Sequence, residues 1–175
     1  MKENAMPLTI DERNAAARAL YVGALGLGES HDDPTARAFA LELFRTRLVR
    51  RLMVELYSVA YQPMVDNAVA TNGQVYIVAL HHCAITLSDV INAAIAAQIP
   101  VHCVDGRDGN IGRASDAAMQ RRNQAVGANF AQITGGNTAT HPGARGCLIL
   151  FGGAHFEGAN RIQRYVGGLP YCRAG

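Results

Sequence analysis

Five short apolar runs constrain this chain more than any other feature: "LYVGALGL" at 20–27, "LMVELY" at 52–57, "QVYIVAL" at 74–80, "IPVHCV" at 99–104 and "GCLILF" at 146–151. Each is the length of a strand and apolar throughout, the pattern of strands buried on both faces rather than of half-solvated antiparallel ones. Helical segments separate them. "TIDERNAAARAL" opens with Thr9 and Glu12 spaced as a capping box. "PTARAFALELFRTRL" carries Pro34 in its first turn and Ala36, Phe39, Ala40, Leu43 and Phe44 along one face. A helix over about 61–72 stops at Asn72-Gly73, "TLSDVINAAIAAQ" starts on a Thr or Ser cap, and "SDAAMQRRNQAVGANFAQI" is the longest. A short helix near "ANRIQRYV" closes the pattern.

Strands alternating with helices predict an α/β fold: three α/β/α layers around a mostly parallel five-stranded sheet. No repeat, linker or low-complexity block interrupts the pattern, so residues 1–175 read as one domain. Right-handed crossovers give parallel strands one direction, which lines up their carboxyl ends along one edge, where open α/β sheets bind ligands.

Ionisable side chains follow every predicted strand. The first is followed by Glu29 and His31, two apart and therefore on one side of an extended chain. The second contains Glu55, the third leads into His81 and His82, the fourth into Asp105 and the fifth into His155. Gly26, Gly28, Gly152 and Gly153 flank the first and last of these ends and allow close backbone approach there. Asp32 and Asp33 are read differently, as ordinary acids in the first turn of the helix that Pro34 opens.

Composition narrows the function classes. The 175 residues are 49% apolar and 17% charged, with a formal charge of +2, which does not mark a nucleic-acid partner, and none is expected. No apolar stretch reaches the ~20 residues that span a bilayer, and the amino terminus lacks a secretion pattern, so the expected location is cytoplasmic. Lys2 is the sole lysine among 16 basic residues. Codon bias explains that imbalance, with avoidance of lysine-directed modification after delivery into a foreign cytosol as the selective alternative. Arg45, Arg47, Arg50 and Arg51 read as a solvated face. Cys83, Cys103, Cys147 and Cys172 form no Cys-x-x-Cys pair, and the first three read as buried reduced thiols.

The stretches "LGESHDDP" (27–34), "MVELY" (53–57), "AAQIPVHCVDG" (96–106), "MQRRNQAVGANF" (119–130) and "LILFGGAHF" (148–156) together resemble one superfamily. It groups erythromycin esterases, Tiki and TraB proteins, ChaN-type haem-uptake proteins and the carboxyl-terminal region of Pasteurella-type mitogenic toxin. The shared signature is Gly-Glu-x-His after the first strand, an Arg-Asn or Arg-Asp pair in a late long helix and Gly-x-x-His after the last strand. The likeness covers about residues 20–170 and implies functional roles for Glu29, His31, Glu55, Arg122 and His155. Gln124, Ala125 and Val126 depart from the pattern after the late Arg-Asn, and the large helical insertion of the macrolide esterases has no counterpart here.

Two mechanisms use those residue types. In the first, implied by the esterase relatives, His31 is a general base oriented by Glu29 or Glu55, and Arg122 holds the glutamates ionised or stabilises an oxyanion. In the second, implied by the Tiki-like relatives, Glu29, His31 and His155 ligate a divalent zinc or manganese ion. Either would act as a hydrolase on a small-molecule or protein substrate selected by loops 58–64, 106–114 and 135–146. A toxin or effector module delivered into another cell is one deployment of such a site. Ligand binding without catalysis, of haem in the manner of the ChaN-type relatives with Tyr57, Tyr61 or Tyr76 on iron, is the alternative.

Overall fold

The computed structural model describes residues 8–78, 83–106 and 115–174. Helix α1 (Ile10–Val22) precedes β1 (Ala24–Glu29), α2 (Thr35–Arg45), β2 (Arg51–Tyr57), α3 (Ser58–Thr71), α4 (Leu87–Ala96), β3 (Val101–Asp105), α5 (Asp116–Thr134), β4 (Cys147–Gly152) and β5 (Tyr171–Arg173). Their spatial order is β3-β2-β4-β1-β5. Every pairing is parallel. The fold is therefore α/β, with an all-parallel five-stranded sheet.

Side chains alternate between two cores. Leu25 and Leu27 of β1, Leu52 and Val54 of β2 and Leu148 and Leu150 of β4 pack with α1 through α4. Met53, Ile149 and Phe151 face the other way, onto Val126 and Phe130 of α5 and Phe156 and Ile162 of two 3-10 turns. Three layers result, as the apolar runs predict.

Several elements differ from the sequence expectation, and residues 58–64, expected as a loop, are the first turns of α3. The run at 20–27 is not one strand: α1 continues to Val22, and β1 begins only after Gly23. Nor does "QVYIVAL" join the sheet within its described part, residues 74–78. Val75 and Ile77 are buried there, while Tyr76 and Val78 are 72% and 70% exposed. Side chains of α4 take the place of a neighbouring strand. Asn92 accepts from the Val75 N–H at 2.8 Å and donates to its carbonyl at 3.0 Å, and Ser88 accepts from Ile77 N–H at 2.9 Å. The fifth strand is instead Tyr171–Arg173, a terminal stretch that sequence analysis left unassigned, hydrogen-bonded beside β1. It covers Gly26 and Gly28: a Cβ on Gly28 would stand 2.5 Å from the Tyr171 hydroxyl, so only glycine lets this ring and the stacked Phe156 lie on the strand.

The capping box of Thr9 with Glu12 forms as read, and of the two candidate caps for α4 it is Thr86 that serves, in a second capping box with Asp89. The expected helix near 159–166 is a single 3-10 turn, Ile162–Arg164. All four cysteines are free; Cys103 and Cys147 are buried, but Cys83 and Cys172 are only half-buried. Cys83 lies outside the strands, and Cys172 lies in the edge strand β5. No helix among the described residues is long and apolar enough to cross a membrane.

Candidate functional site

Parallel β1, β2 and β4 end side by side, and the ionisable residues after them meet at that edge. Glu29 closes β1 and is buried beneath the first turn of α2. Arg37 of α2 holds it in a bidentate pair: Nε donates to Oε2 at 2.7 Å and Nη2 to Oε1 at 3.0 Å. That guanidinium is wholly buried, and its Nη1 donates to the Ile85 carbonyl at 3.1 Å and toward Cys83 Sγ at 3.3 Å. Burial alone would raise the Glu29 pKa, but hydrogen bonds from His31 and Arg37, with the Arg37 charge, hold it below the ordinary carboxylate value.

His31 completes this arm. Its Nδ1 lies 2.9 Å from Glu29 Oε1. An ionised carboxylate only accepts, so the proton of the neutral ring sits on Nδ1 and the lone pair on Nε2. The side chain is 35% exposed, which makes it the most accessible ionisable group of the cluster. The Glu29 hydrogen bond raises its pKa above the usual histidine value against an opposing effect of burial, and the charge of Glu55 adds to the rise.

The second arm is built on Glu55 of β2. Arg122 of α5 donates to it through Nη2 at 2.7 Å and binds Asp105, at the end of β3, through Nε at 3.0 Å and Nη2 at 2.6 Å. The Gly152 N–H donates to Glu55 Oε2 at 2.6 Å. His155, buried in the 3-10 turn after β4, places Nε2 3.0 Å from Glu55 Oε1 and Nδ1 against the Asn123 side-chain oxygen. Asn123 is oriented by its own donations to the His155 and Asn160 carbonyls. Burial would raise the Glu55 pKa, but His155, the Gly152 N–H and Arg122 together hold it down at about 2.

Gly152 joins the arms. A Cβ there would stand 3.1 Å from Glu55 Oε2 and 3.3 Å from His31 Nε2. The structure thus brings Glu29, His31, Glu55, Arg122 and His155 to one edge, and adds Arg37, Asp105 and Asn123, which sequence analysis did not select. Asp105 had a signal as a strand-end carboxylate, and Arg37 shares the stripe of Ala40 and Phe44 on α2, at i, i+3 and i+7. Asn123 had none beyond adjacency to Arg122.

Glu29, His31 and His155 do not form a shared ligand set for a metal. Both Glu29 oxygens are taken by Arg37, and each ring nitrogen of His155 faces an acceptor oxygen, leaving no lone pair directed at a cation. Among the described residues no group of three or more His, Cys, Asp or Glu side chains is arranged to hold one. Of the tyrosines considered for iron, Tyr57 caps α3, Tyr61 packs on the main core and Tyr76 is exposed. His81 and His82 lie outside the described residues, as does most of loop 106–114. His102 stands within β3 and His141 bonds the Gly143 N–H, neither at the site.

The depressed Glu55 pKa has a consequence for stability. A carboxylate at about 2 when folded and near 4.5 when unfolded stabilises the fold fully above 4.5 and loses that contribution as pH falls toward 2. The difference corresponds to about 3 kcal/mol. Denaturant unfolding at pH 5 and at pH 2 should show the wild type losing that much more than Glu55→Gln. Equal acid sensitivity of the two would mean that Glu55 is not held ionised.

Comparison with solved structures gives the fold, which is similar in two proteins. One similar structure, described as "Bacterial protein toxins", has a TM-score of 0.59 at 16% identity, covering 94% of this chain and 39% of that one. A second, the type III effector HopBA1, has a TM-score of 0.53 at 15% identity, covering 87% of this chain and 76% of the effector. At such identities the likeness shows the fold alone, and the chain spans about two fifths of the length of the first structure. No protein-family model and no curated protein matches the chain.

Proposed function

We propose that this chain is a hydrolase-like domain whose general base is His31. The observation that carries the reading is the series Arg37–Glu29–His31, in which a buried guanidinium fixes a carboxylate and the carboxylate fixes an imidazole with Nε2 left to act. Water positioned at Nε2 would lose its proton there as it attacks an ester, amide or phosphoester, and Glu29 would stabilise the imidazolium that forms. Arg122 commits Nε and Nη2 to carboxylates, and its Nη1, without a partner among the described residues, would be the donor for a developing oxyanion. The erythromycin-esterase-like order of Glu29, His31, Glu55, Arg122 and His155 supports the same reading.

Deployment as a toxin or effector module is part of the proposal, supported by the fold held in common with a bacterial toxin and a type III effector. The test combines a chromogenic panel with a cell readout. Purified protein is assayed on p-nitrophenyl butyrate, p-nitrophenyl phosphate and a fluorogenic casein, and the gene is induced in yeast cytosol. Hydrolysis of at least one probe, or growth arrest, is expected, and Glu29→Gln should abolish whichever is seen. A folded Glu29→Gln protein that keeps the wild-type effect would refute the reading.

A further inference from the structure

The edge opposite the candidate site has its own chemistry. The connections there, residues 46–50, 97–100 and 135–146, contain no aspartate or glutamate. They and the adjoining helix ends carry Arg18, Arg45, Arg47, Arg50 and Arg145, the first four exposed. Among the described residues none of the five forms an ion pair. The opposite edge gathers Glu29, Asp32, Asp33, Glu55, Asp105, Asp116 and Glu157. Arg161 and Arg164, in the segment after the His155 turn, also form no ion pair among the described residues; what sets the far face apart is five such arginines beside connections that hold no carboxylate.

Apolar surface adjoins those cations. Tyr21 and Val22, at the end of α1, are 60% and 61% exposed. With Ala17, Arg18, Ala19 and Leu48 they line an open hollow of about 620 Å³. The Arg145 guanidinium lies over the Tyr21 ring, 4.7 Å from its centre, and a neighbouring hollow of about 460 Å³ is lined by Arg47, Arg50 and Gln98. Backbone bonds tie these parts together: Gly146 donates to the Leu20 and Gly23 carbonyls and accepts from Arg50 N–H.

We propose that this face docks on an anionic lipid bilayer, its arginines engaging lipid phosphates while Tyr21, Val22 and Leu48 enter the headgroup layer. Arginine matches phosphate through two parallel donors. Stable attachment needs both signals, charge and apolar insertion, and both are present on one face. A nucleic acid would use the charge but has no partner for Val22 and Leu48. Docked this way, the chain would present the His31 edge to solvent. The inference does not depend on the catalytic reading.

Sedimentation of the full chain with vesicles tests it. Binding is expected to vesicles containing about one-third phosphatidylserine and not to phosphatidylcholine alone, and should weaken as salt screens the charges. Each arginine near an anionic surface contributes about fivefold in affinity, so Arg45→Glu with Arg47→Glu and Arg50→Glu should weaken binding by at least on the order of a hundredfold. These side chains are exposed, and unchanged melting curves would verify the fold. Tyr21→Ser with Val22→Ser should lower binding by roughly tenfold, a loss that removing charge alone would not explain. Absence of binding to the anionic vesicles, or full binding by the arginine variant, overturns the proposal. So does wild-type-like binding by the Tyr21/Val22 variant, the outcome expected of a general polyanion or acidic-protein site.

Discussion

His31→Asn is expected to remain folded and to lose activity by a factor of about 10²–10⁴, the usual contribution of a positioned general base. The side chain is part-exposed and among the described residues makes one hydrogen bond, to Glu29, so its removal should cost little stability, within about 1 kcal/mol. Asparagine can still donate toward Glu29 but cannot accept a proton near neutral pH. The separation between a large kinetic loss and a small thermodynamic one is the diagnostic. Turnover of whichever probe the wild type hydrolyses, or the growth phenotype, provides the first measurement and a thermal melt the second. His102→Asn, within β3 and away from the cluster, should leave activity unchanged. Full activity in a folded His31→Asn protein would reduce "GESHDD" to a helix-opening loop.

Arg37→Met should give the opposite pattern, a loss of stability of about 3–5 kcal/mol. The guanidinium is fully buried and Glu29 nearly so, so the variant leaves a buried carboxylate with His31 as its remaining partner, and also frees the Ile85 carbonyl. Adding Glu29→Gln should recover part of the loss, because the buried charge is then gone. Denaturant midpoints of the single and double variants measure both. A single-variant loss below about 1 kcal/mol would show that the buried pair does not hold this end of β1.

Why Arg37 escaped notice in the sequence is a matter of context. Arginine in a helix followed by Arg45 and Arg47 reads as solvated, and its ion-pair partner is eight residues away, on a strand whose burial is known only after folding. Where the signal was periodicity, the reading succeeded: apolar runs became β2, β3 and β4 to within two residues at either end. Where it depended on pairing, it failed. Residues 74–78 carry a strand's composition, yet Asn92 and Ser88 satisfy their backbone in place of a neighbouring strand. Tyr171–Arg173 looked like a tail because three residues carry no period. The site followed the same division. Strand-end residues, and Gly152 beside them, could be placed on one edge by the direction of the sheet, whereas Asn123 matters through a contact that only the packed helix and turn create.

Direct observation of the His31 ring tests the central claim most closely. Nitrogen-15 NMR of imidazole-labelled protein reports which ring nitrogen carries the proton and the midpoint of its titration. The Arg37–Glu29–His31 arrangement requires Nδ1 protonated and Nε2 bare in the neutral form, with a midpoint above the ordinary histidine value of 6.5. The stability that this interaction supplies would then be fully present below 6.5 and lost as pH rises through that higher midpoint. Glu29→Gln should bring the midpoint down. A neutral ring protonated on Nε2, or a midpoint at or below 6.5 that Glu29→Gln does not move, would contradict the role assigned to His31.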